Sequence, residues 1–168
     1  MNDNILIKED VFSYDKQFEL YNYCISASYK YGESDTKNTI PTGMIHIFDN
    51  DSFIYKLLIS EINTLFPYTL LMNVYRAYIN CFSPLEFPYF HSDKNDINGP
   101  DITIIYYVGI EKYNIDDNGT TDFYINDKII GILPIPNRLL LFDSKLIHRA
   151  TSFRDRHRFT IVFKLKET

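Results

Sequence analysis

The stretch RLLLFDSKLIHRATSFRDRHRFTIVFKL (138–165) holds two segments rich in apolar and β-branched residues, RLLLFD and RFTIVFKL. Successive side chains of a β-strand point to opposite faces. In the second segment this alternation places Arg158, Thr160 and Val162 on one face, and Phe159 begins an apolar face on the other side. The pattern predicts a strand that is buried on both faces, one of them hydrophobic and the other polar.

Segments of the same composition extend back towards residue 69. They are TLLMNVYRAYINCF (69–82), DITIIYYVGI (101–110) and TDFYINDKIIGIL (121–133). Turn signals such as Asn98-Gly99-Pro100, Asn126-Asp127 and Pro136-Asn137 separate the segments. Many short strands with this spacing are typical of an antiparallel sandwich or barrel.

The first third of the chain has a helical pattern instead. Ser13 is positioned to cap a helix whose apolar face would carry the residues Phe18, Tyr21, Cys24 and Ile25. A second helix is expected after Asp51-Ser52, ending at Pro67, with an apolar stripe of Ile54, Leu57, Leu58, Ile62 and Leu65. Between the helices, YGESDTKNTIPTG (31–43) predicts a long loop, which is either plain surface or a lid beside a site.

Together these elements predict a mainly β member of the α+β class. We expect a double-stranded β-helix (jelly roll) with N-terminal helices that brace one sheet from outside. The chain of 168 residues has the length of one domain, so we expect a single domain over 1–168. Its helical part would cover about residues 1–69 and its jelly-roll core about residues 70–166.

Composition excludes several classes of partner. The formal net charge of -5 argues against a general nucleic-acid binder, and no apolar stretch has the length of a membrane span. MNDNILIKED at the N-terminus lacks the apolar core of a signal peptide. We therefore expect a cytoplasmic protein, in a host cytoplasm if the source is a phage or virus, with Cys24 and Cys81 as reduced, buried thiols.

His91 and Asp93, in FPYFHSDKND (87–96), point the same way if this segment is extended. Alone they could be an ordinary surface pair. His148 follows the apolar strand RLLLFD and its short turn, and a sandwich can bring it against Asp93. Two histidines and one carboxylate form the facial triad of non-haem Fe(II) oxygenases, so these three residues are the predicted metal ligands.

Arg158 lies ten positions beyond His148, in the middle of a strand. A buried guanidinium is costly unless an anion meets it, and its planar shape suits a two-point grip on a carboxylate. Thr160 adds a hydroxyl on the same face. A structural salt bridge is the alternative interpretation of Arg158.

These residues resemble the 2-oxoglutarate- and Fe(II)-dependent oxygenases, in particular the prolyl-4-hydroxylase-like branch with its short phage and viral members. The resemblance covers roughly residues 70–166. The matching elements are His91-Ser92-Asp93 (HxD), Thr103-Ile104-Ile105-Tyr106-Tyr107 (T-x-x-YY), Asn118 to Phe123 (a degraded GGET-x-F), Pro136 to Phe142, His148 and Arg158-Phe159-Thr160.

The resemblance implies Fe(II), 2-oxoglutarate and ascorbate as cofactors. It implies His91, Asp93 and His148 as catalytic metal ligands, and Arg158, Thr160 and Tyr106 as contacts of the far carboxylate of 2-oxoglutarate. Tyr78 and Asn80 fall where relatives place further contacts of the cosubstrate. Collagen-type enzymes usually carry lysine at the position of Arg158, so a collagen-type enzyme is not implied.

The function that follows is hydroxylation of a C–H bond by O2, with release of succinate and CO2. The resemblance favours a prolyl residue in a peptide or protein as the substrate. An oxygenase for a free amino acid or small metabolite, an AlkB-like nucleic-acid demethylase, and a metal- or ligand-binding jelly roll without turnover are the alternatives.

Overall fold

Two antiparallel sheets dominate the computed structural model, which describes residues 5–32, 34–36, 38–94 and 96–168. The strands of the described part are β1 (Ile5–Lys8), β2 (Lys30–Tyr31), β3 (Met44–Ile47), β4 (Met72–Phe82), β5 (Ile102–Tyr107), β6 (Thr121–Ile125), β7 (Lys128–Ile132), β8 (Leu139–Asp143), β9 (His148–Ala150) and β10 (Arg158–Glu167). The two α-helices are α1 (Tyr14–Ser26) and α2 (Phe53–Leu65).

The larger sheet has seven strands in the order β1-β8-β5-β10-β4-β3-β2, and the smaller has three in the order β7-β6-β9. Strand β10 lies in the middle of the larger sheet. It pairs with β4 through Arg158–Phe82 and Thr160–Asn80, and with β5 through Thr160–Tyr107. This register decides which side chains of the three strands lie beside one another.

The two faces of the larger sheet belong to two different hydrophobic clusters. One face packs against the helices, with Leu20 of α1 and Leu58 of α2 in the same cluster as Phe163 of β10. The other face packs against the smaller sheet, with Val162 of β10 in the same cluster as Phe123 of β6. The predicted fold, two facing sheets with helices outside one of them, is therefore confirmed.

Both predicted helices are present and begin where expected, and α2 also ends as predicted. Ser52 caps α2 by accepting a hydrogen bond from the backbone N–H of Tyr55, and Pro67 follows the helix end. Ser13 is the N-cap residue of α1, although its side chain makes no capping bond. Two residues of the predicted apolar stripe of α1, Phe18 and Ile25, are exposed, because this helix buries its Leu20 and Cys24 side instead.

Helices alone do not describe residues 1–69, which also contribute β1, β2 and β3 to the larger sheet. The sequence patterns missed these strands because they are short and lie at or near the two sheet edges, where pairing partners rather than composition define them. Residues 69–71, expected to be strand, belong to a 3-10 helix, Pro67–Leu71. The hairpin of β6 and β7 turns at Asn126-Asp127, as predicted.

The predicted loop 31–43 includes Glu33 and Lys37, which lie outside the described residues, as do residues 1–4 of the N-terminal segment and Asn95. In the described part, Ser34, Asp35 and Thr42 line a cavity between the sheets. Both cysteines are free and buried. No helix of the described chain combines the length and apolarity needed to span a membrane.

Candidate metal centre

His91, Asp93 and His148 converge at one place between the sheets. One nitrogen or oxygen from each residue lies within 4.8 Å of the others. His91 Nε2 is 3.6 Å from Asp93 Oδ1, and His148 Nε2 is 3.7 Å from Asp93 Oδ2. Two imidazoles and a carboxylate at this spacing can share one divalent transition metal ion.

Backbone pairing brings the two histidines together. His91 and His148 are antiparallel partners, and each backbone N–H donates to the other's carbonyl oxygen at 2.9 Å. The segment that ends at His91 thus continues the smaller sheet beyond β9. Because paired residues in antiparallel strands project to the same face, the two rings lie together, with their centroids 4.6 Å apart.

Each imidazole is oriented by a carbonyl oxygen two residues earlier in the chain. His91 Nδ1 lies 3.1 Å from the carbonyl oxygen of Tyr89, and His148 Nδ1 lies 2.9 Å from that of Leu146. A neutral ring bonded in this way carries its proton on Nδ1 and leaves the Nε2 lone pair available. Both lone pairs are therefore available on the Asp93 side, where a metal would lie.

The charge states also suit a metal. Burial acts to raise the pKa of Asp93, but the adjacent His91 imidazole and the charge of Lys164 outweigh it and hold this pKa well below its usual value. Burial lowers the pKa of His148 to about 4. Burial also acts to lower the pKa of His91, but the adjacent Asp93 carboxylate outweighs this effect and raises it. At neutral pH the site therefore offers an ionised carboxylate and a neutral His148.

The cluster opens into a cavity of about 260 Å³ between the two sheets. Arg158 lines the same cavity, six residues along β10 from Lys164, the residue that contacts Asp93. Its side chain is only 1% exposed. Among the residues that the structure describes, no carboxylate forms an ion pair with Arg158, although a buried guanidinium is normally matched by an anion.

Neutral groups hold Arg158 in place. Its Nε donates to the carbonyl oxygen of Gly119 at 2.8 Å, and one terminal nitrogen donates to Thr121 Oγ1 at 3.1 Å. Gly119 has a φ of +84°, and a Cβ there would lie 2.4 Å from the Phe153 ring, so this position requires glycine. The degraded GGET-x-F segment thus supplies the cradle of the guanidinium.

Three more predicted site residues line the cavity. Thr160 lies opposite Asn80 on β4, and Tyr78 lies opposite Val162, so all of them share the face that carries Arg158. The structure thus brings together seven of the eight predicted site residues.

Tyr106 is the exception, because it lies on the other face of β5, and Tyr107 is the tyrosine beside Arg158. The Tyr106 side chain lies on the helix-facing side of β5, where its hydroxyl donates to Asn137 Oδ1 at 3.2 Å and its ring packs on Phe12. Tyr107 lies on the other face, with its ring centroid 5.5 Å from the Arg158 guanidinium carbon and its hydroxyl donating to Thr121 Oγ1 at 2.7 Å. The alternation of strand side chains separates the two rings.

Sequence reasoning also missed three residues at the metal end. Lys164 Nζ donates to Asp93 Oδ1 at 2.6 Å, and Thr103 Oγ1 donates to Asp93 Oδ2 at 2.6 Å. Asp35 accepts from the backbone N–H of Tyr89 at 2.7 Å and lies 3.5 Å from His91 Nδ1. Lys164 could have been found, because it continues the even-numbered face of Arg158 and Thr160. Asp35 gave no such signal.

Comparison with known proteins supports the fold assignment. No protein-family model matches the sequence, and no curated protein matches it. Solved structures do match. A Pseudomonas putida prolyl-4-hydroxylase superposes with a TM-score of 0.77 at 14% identity, covering 99% of this chain and 94% of that one.

Two further structures match over nearly the whole chain. A prolyl hydroxylase from Trichoplax adhaerens, in complex with a hypoxia inducible factor peptide fragment, has a TM-score of 0.80 at 18% identity, covering 99% of this chain and 84% of that one. HygX from Streptomyces hygroscopicus, with nickel and 2-oxoglutarate bound, has a TM-score of 0.74 at 10% identity, covering 98% and 83%. This chain therefore has the double-stranded β-helix fold of these oxygenase structures.

Proposed function

We propose that this protein is a 2-oxoglutarate- and Fe(II)-dependent dioxygenase that hydroxylates a C–H bond. One observation carries the proposal. A single cavity holds a His-Asp-His cluster at one end and, further along, a buried arginine without a carboxylate partner among the described residues. A dianion with a metal-chelating end and a distant carboxylate would match both ends. In this proposal residues 1–168 form one catalytic domain.

The donor set fits Fe(II). His91 and His148 present Nε2 lone pairs, and Asp93 is ionised and 3% exposed. Three protein ligands leave coordination positions for a cosubstrate and O2, as in other facial-triad sites. When bound, the metal and 2-oxoglutarate would supply O2 activation coupled to oxidative decarboxylation, with release of succinate and CO2. Ascorbate remains an expectation from the family resemblance.

The protein's own residues would bind, orient and shield the cosubstrate. Arg158 would grip its far carboxylate in two hydrogen bonds, and Thr160 would donate a third from the same face. Tyr107, and not Tyr106, would support this grip from behind, since its ring lies beside Arg158 and its hydroxyl donates to Thr121, which Arg158 also contacts. Tyr78 and Asn80 on β4 would form the adjoining wall.

For the prime substrate we propose a prolyl residue in a peptide or protein. The support is the shared fold with two prolyl hydroxylases, one of them in complex with a peptide fragment. The formal net charge of -5 supports a partner other than nucleic acid. A cytoplasmic location goes with this proposal.

A small polar molecule is the second candidate substrate. Charged side chains line the cavity near the metal cluster, among them Asp35, Arg76 and Lys164. Charged side chains favour a polar ligand over the apolar ring of a prolyl residue. HygX, which has the same fold, is known in a structure with hygromycin B as well as nickel and 2-oxoglutarate.

The cofactor pair is tested by an anaerobic titration with Fe(II) and then 2-oxoglutarate, followed by visible absorption. The expected result is a metal-to-ligand charge-transfer band that the His148→Ala variant loses. Arg158→Met should need at least about a hundredfold more 2-oxoglutarate to reach the same band, because a buried charge pair would lose one partner.

Two matched controls separate a local effect from a general one. His157 and Arg154 are exposed residues of the same segment, so His157→Ala and Arg154→Met should leave the band unchanged. If the folded wild-type protein gives no band, the cofactor assignment fails. If it gives the band, peptide and small-molecule panels scored by substrate-dependent succinate release would decide between the two substrate classes.

A further inference from the structure

Lys164 places a cation directly against the carboxylate that would bind the metal. Its Nζ lies 2.6 Å from Asp93 Oδ1, and the side chains of the two residues are 13% and 3% exposed. The ammonium also lies 5.5 Å from the centre of the Tyr78 ring. Lys164 projects into the cavity because it shares the β10 face of Arg158 and Thr160.

Each oxygen of Asp93 accepts a hydrogen bond without any metal. Lys164 donates to Oδ1, and Thr103 donates to Oδ2. Thr103 is held in turn by Ser144, whose Oγ is 2.8 Å from Thr103 Oγ1. Each oxygen of the buried carboxylate therefore accepts one hydrogen bond, and the ammonium of Lys164 neutralises its charge. An incoming metal ion must share this carboxylate with a cation that is already in place.

Two positive charges at one buried carboxylate repel each other, and a weakly polar surrounding strengthens the repulsion. The free-energy cost is greatest when the metal binds alone, since the metal and Lys164 then share the Asp93 carboxylate with no added anion. A bound dianion adds negative charge at the metal and offsets the excess. The same ammonium thus opposes the metal alone more than it opposes the metal together with 2-oxoglutarate.

We infer that Lys164 competes with the metal for Asp93, so that the site holds a divalent ion weakly by itself and tightly only with 2-oxoglutarate. The first half of this inference requires only the metal cluster, and the second half rests on the proposed function. Lys164 is a positioning and charge-setting residue in this account, since it acts through Asp93.

The experiment measures Mn(II) binding by electron paramagnetic resonance of the free ion, without and with 2-oxoglutarate. Mn(II) alone should bind Lys164→Met at least tenfold more tightly than the wild-type protein. Lys164→Arg keeps the charge and should bind like the wild type. Saturating 2-oxoglutarate should tighten Mn(II) binding at least tenfold more in the wild type than in Lys164→Met, because only the wild type has the extra cation whose repulsion the dianion offsets.

Lys166→Met is the matched control. Lys166 lies on the same strand, but its Nζ donates to the backbone carbonyl of Asn98 outside the cavity. This variant loses the same formal charge and should change Mn(II) affinity less than twofold. Lys164→Gln, which removes the charge but can still donate a hydrogen bond, replaces Lys164→Met if the latter does not fold.

Equal or weaker Mn(II) binding by the folded Lys164→Met or Lys164→Gln variant would overturn the inference, whatever 2-oxoglutarate does. The proposed function alone would be overturned if 2-oxoglutarate changed the Mn(II) affinity of none of the proteins. In that result, Lys164→Met would still bind Mn(II) more tightly than the wild type.

Discussion

The two faces of strand β10 are buried to a similar degree and are chemically opposite. Towards the helices, Ile161, Phe163 and Leu165 are at most 1% exposed and pack in one apolar cluster. Towards the smaller sheet, Arg158 and Thr160 are at most 2% exposed and line a cavity. The apolar face stabilises the fold by being buried, whereas the polar face is costly to bury, a cost that the proposed cosubstrate would offset.

The strongest test of this contrast is loss of a metal ligand on the cavity side. Asp93→Ala and His148→Ala should each abolish turnover of 2-oxoglutarate, because two ligands hold the metal poorly. Succinate formation measures the effect. His46, which bonds to Ser28 and Tyr23 outside the cavity, provides the matched control, and His46→Ala should retain activity. Full activity of either ligand variant would exclude the proposed triad.

The two faces should also respond differently to truncation. Phe163→Ala should lower the free energy of unfolding by about 3–5 kcal/mol, because a large buried ring leaves a cavity in the helix-side cluster. Arg158→Met should change the stability of the cofactor-free protein far less, because it removes a buried charge without a carboxylate partner. Urea unfolding of both variants measures the difference. A large loss for Arg158→Met and a small one for Phe163→Ala would invert the comparison.

The stability of the metal-free protein should depend on pH because of His148, which lines the cavity. The pKa of His148 is about 4 in the folded protein and 6.5 as the reference value. Folding thus favours the neutral ring, and the stability it contributes is present above pH 6.5 and is lost as the pH falls towards 4. The loss amounts to about 3 kcal/mol. Urea unfolding at several pH values should show this slope, and His148→Asn should flatten it.

The smallest expected effect is on 2-oxoglutarate affinity, and it distinguishes the adjacent residues Tyr106 and Tyr107. Tyr107→Phe should weaken 2-oxoglutarate binding by roughly threefold to tenfold, since it removes one neutral hydrogen bond from the Thr121 hydroxyl that Arg158 also contacts. Tyr106→Phe should leave that affinity unchanged and lower the stability by about 1 kcal/mol, through its bond to Asn137. The charge-transfer titration and urea unfolding provide the two readings. A larger binding loss for Tyr106→Phe would restore the original prediction.

The sequence predicted those parts of the fold that local chemistry determines. Serine caps and Pro67 marked the helix ends, and alternation marked the faces of β10. The sequence pattern missed β9, a three-residue strand that exists because His148 and its neighbours pair with β6. A strand that short has no pattern of its own.

The choice between Tyr106 and Tyr107 shows why part of the site escaped prediction. In ITIIYY both faces of the strand are buried and mostly apolar, so alternation cannot say which face meets the cavity. The one polar residue, Thr103, is in phase with Tyr107 and contacts Asp93, which gave the available signal. Contacts such as Lys164 with Asp93 depend on how distant segments meet, which the local pattern does not encode.

The mutual backbone pairing of His91 and His148 has a consequence for how this chain can change over evolution. Two hydrogen bonds between the ligands' own peptide groups set their register, independently of the turns that follow His91 and precede His148. Insertions and deletions beyond Asp93 and before Leu146 can therefore accumulate without misaligning the rings. Descendants of this chain should diverge in loop length around the site sooner than in the geometry of the two imidazoles.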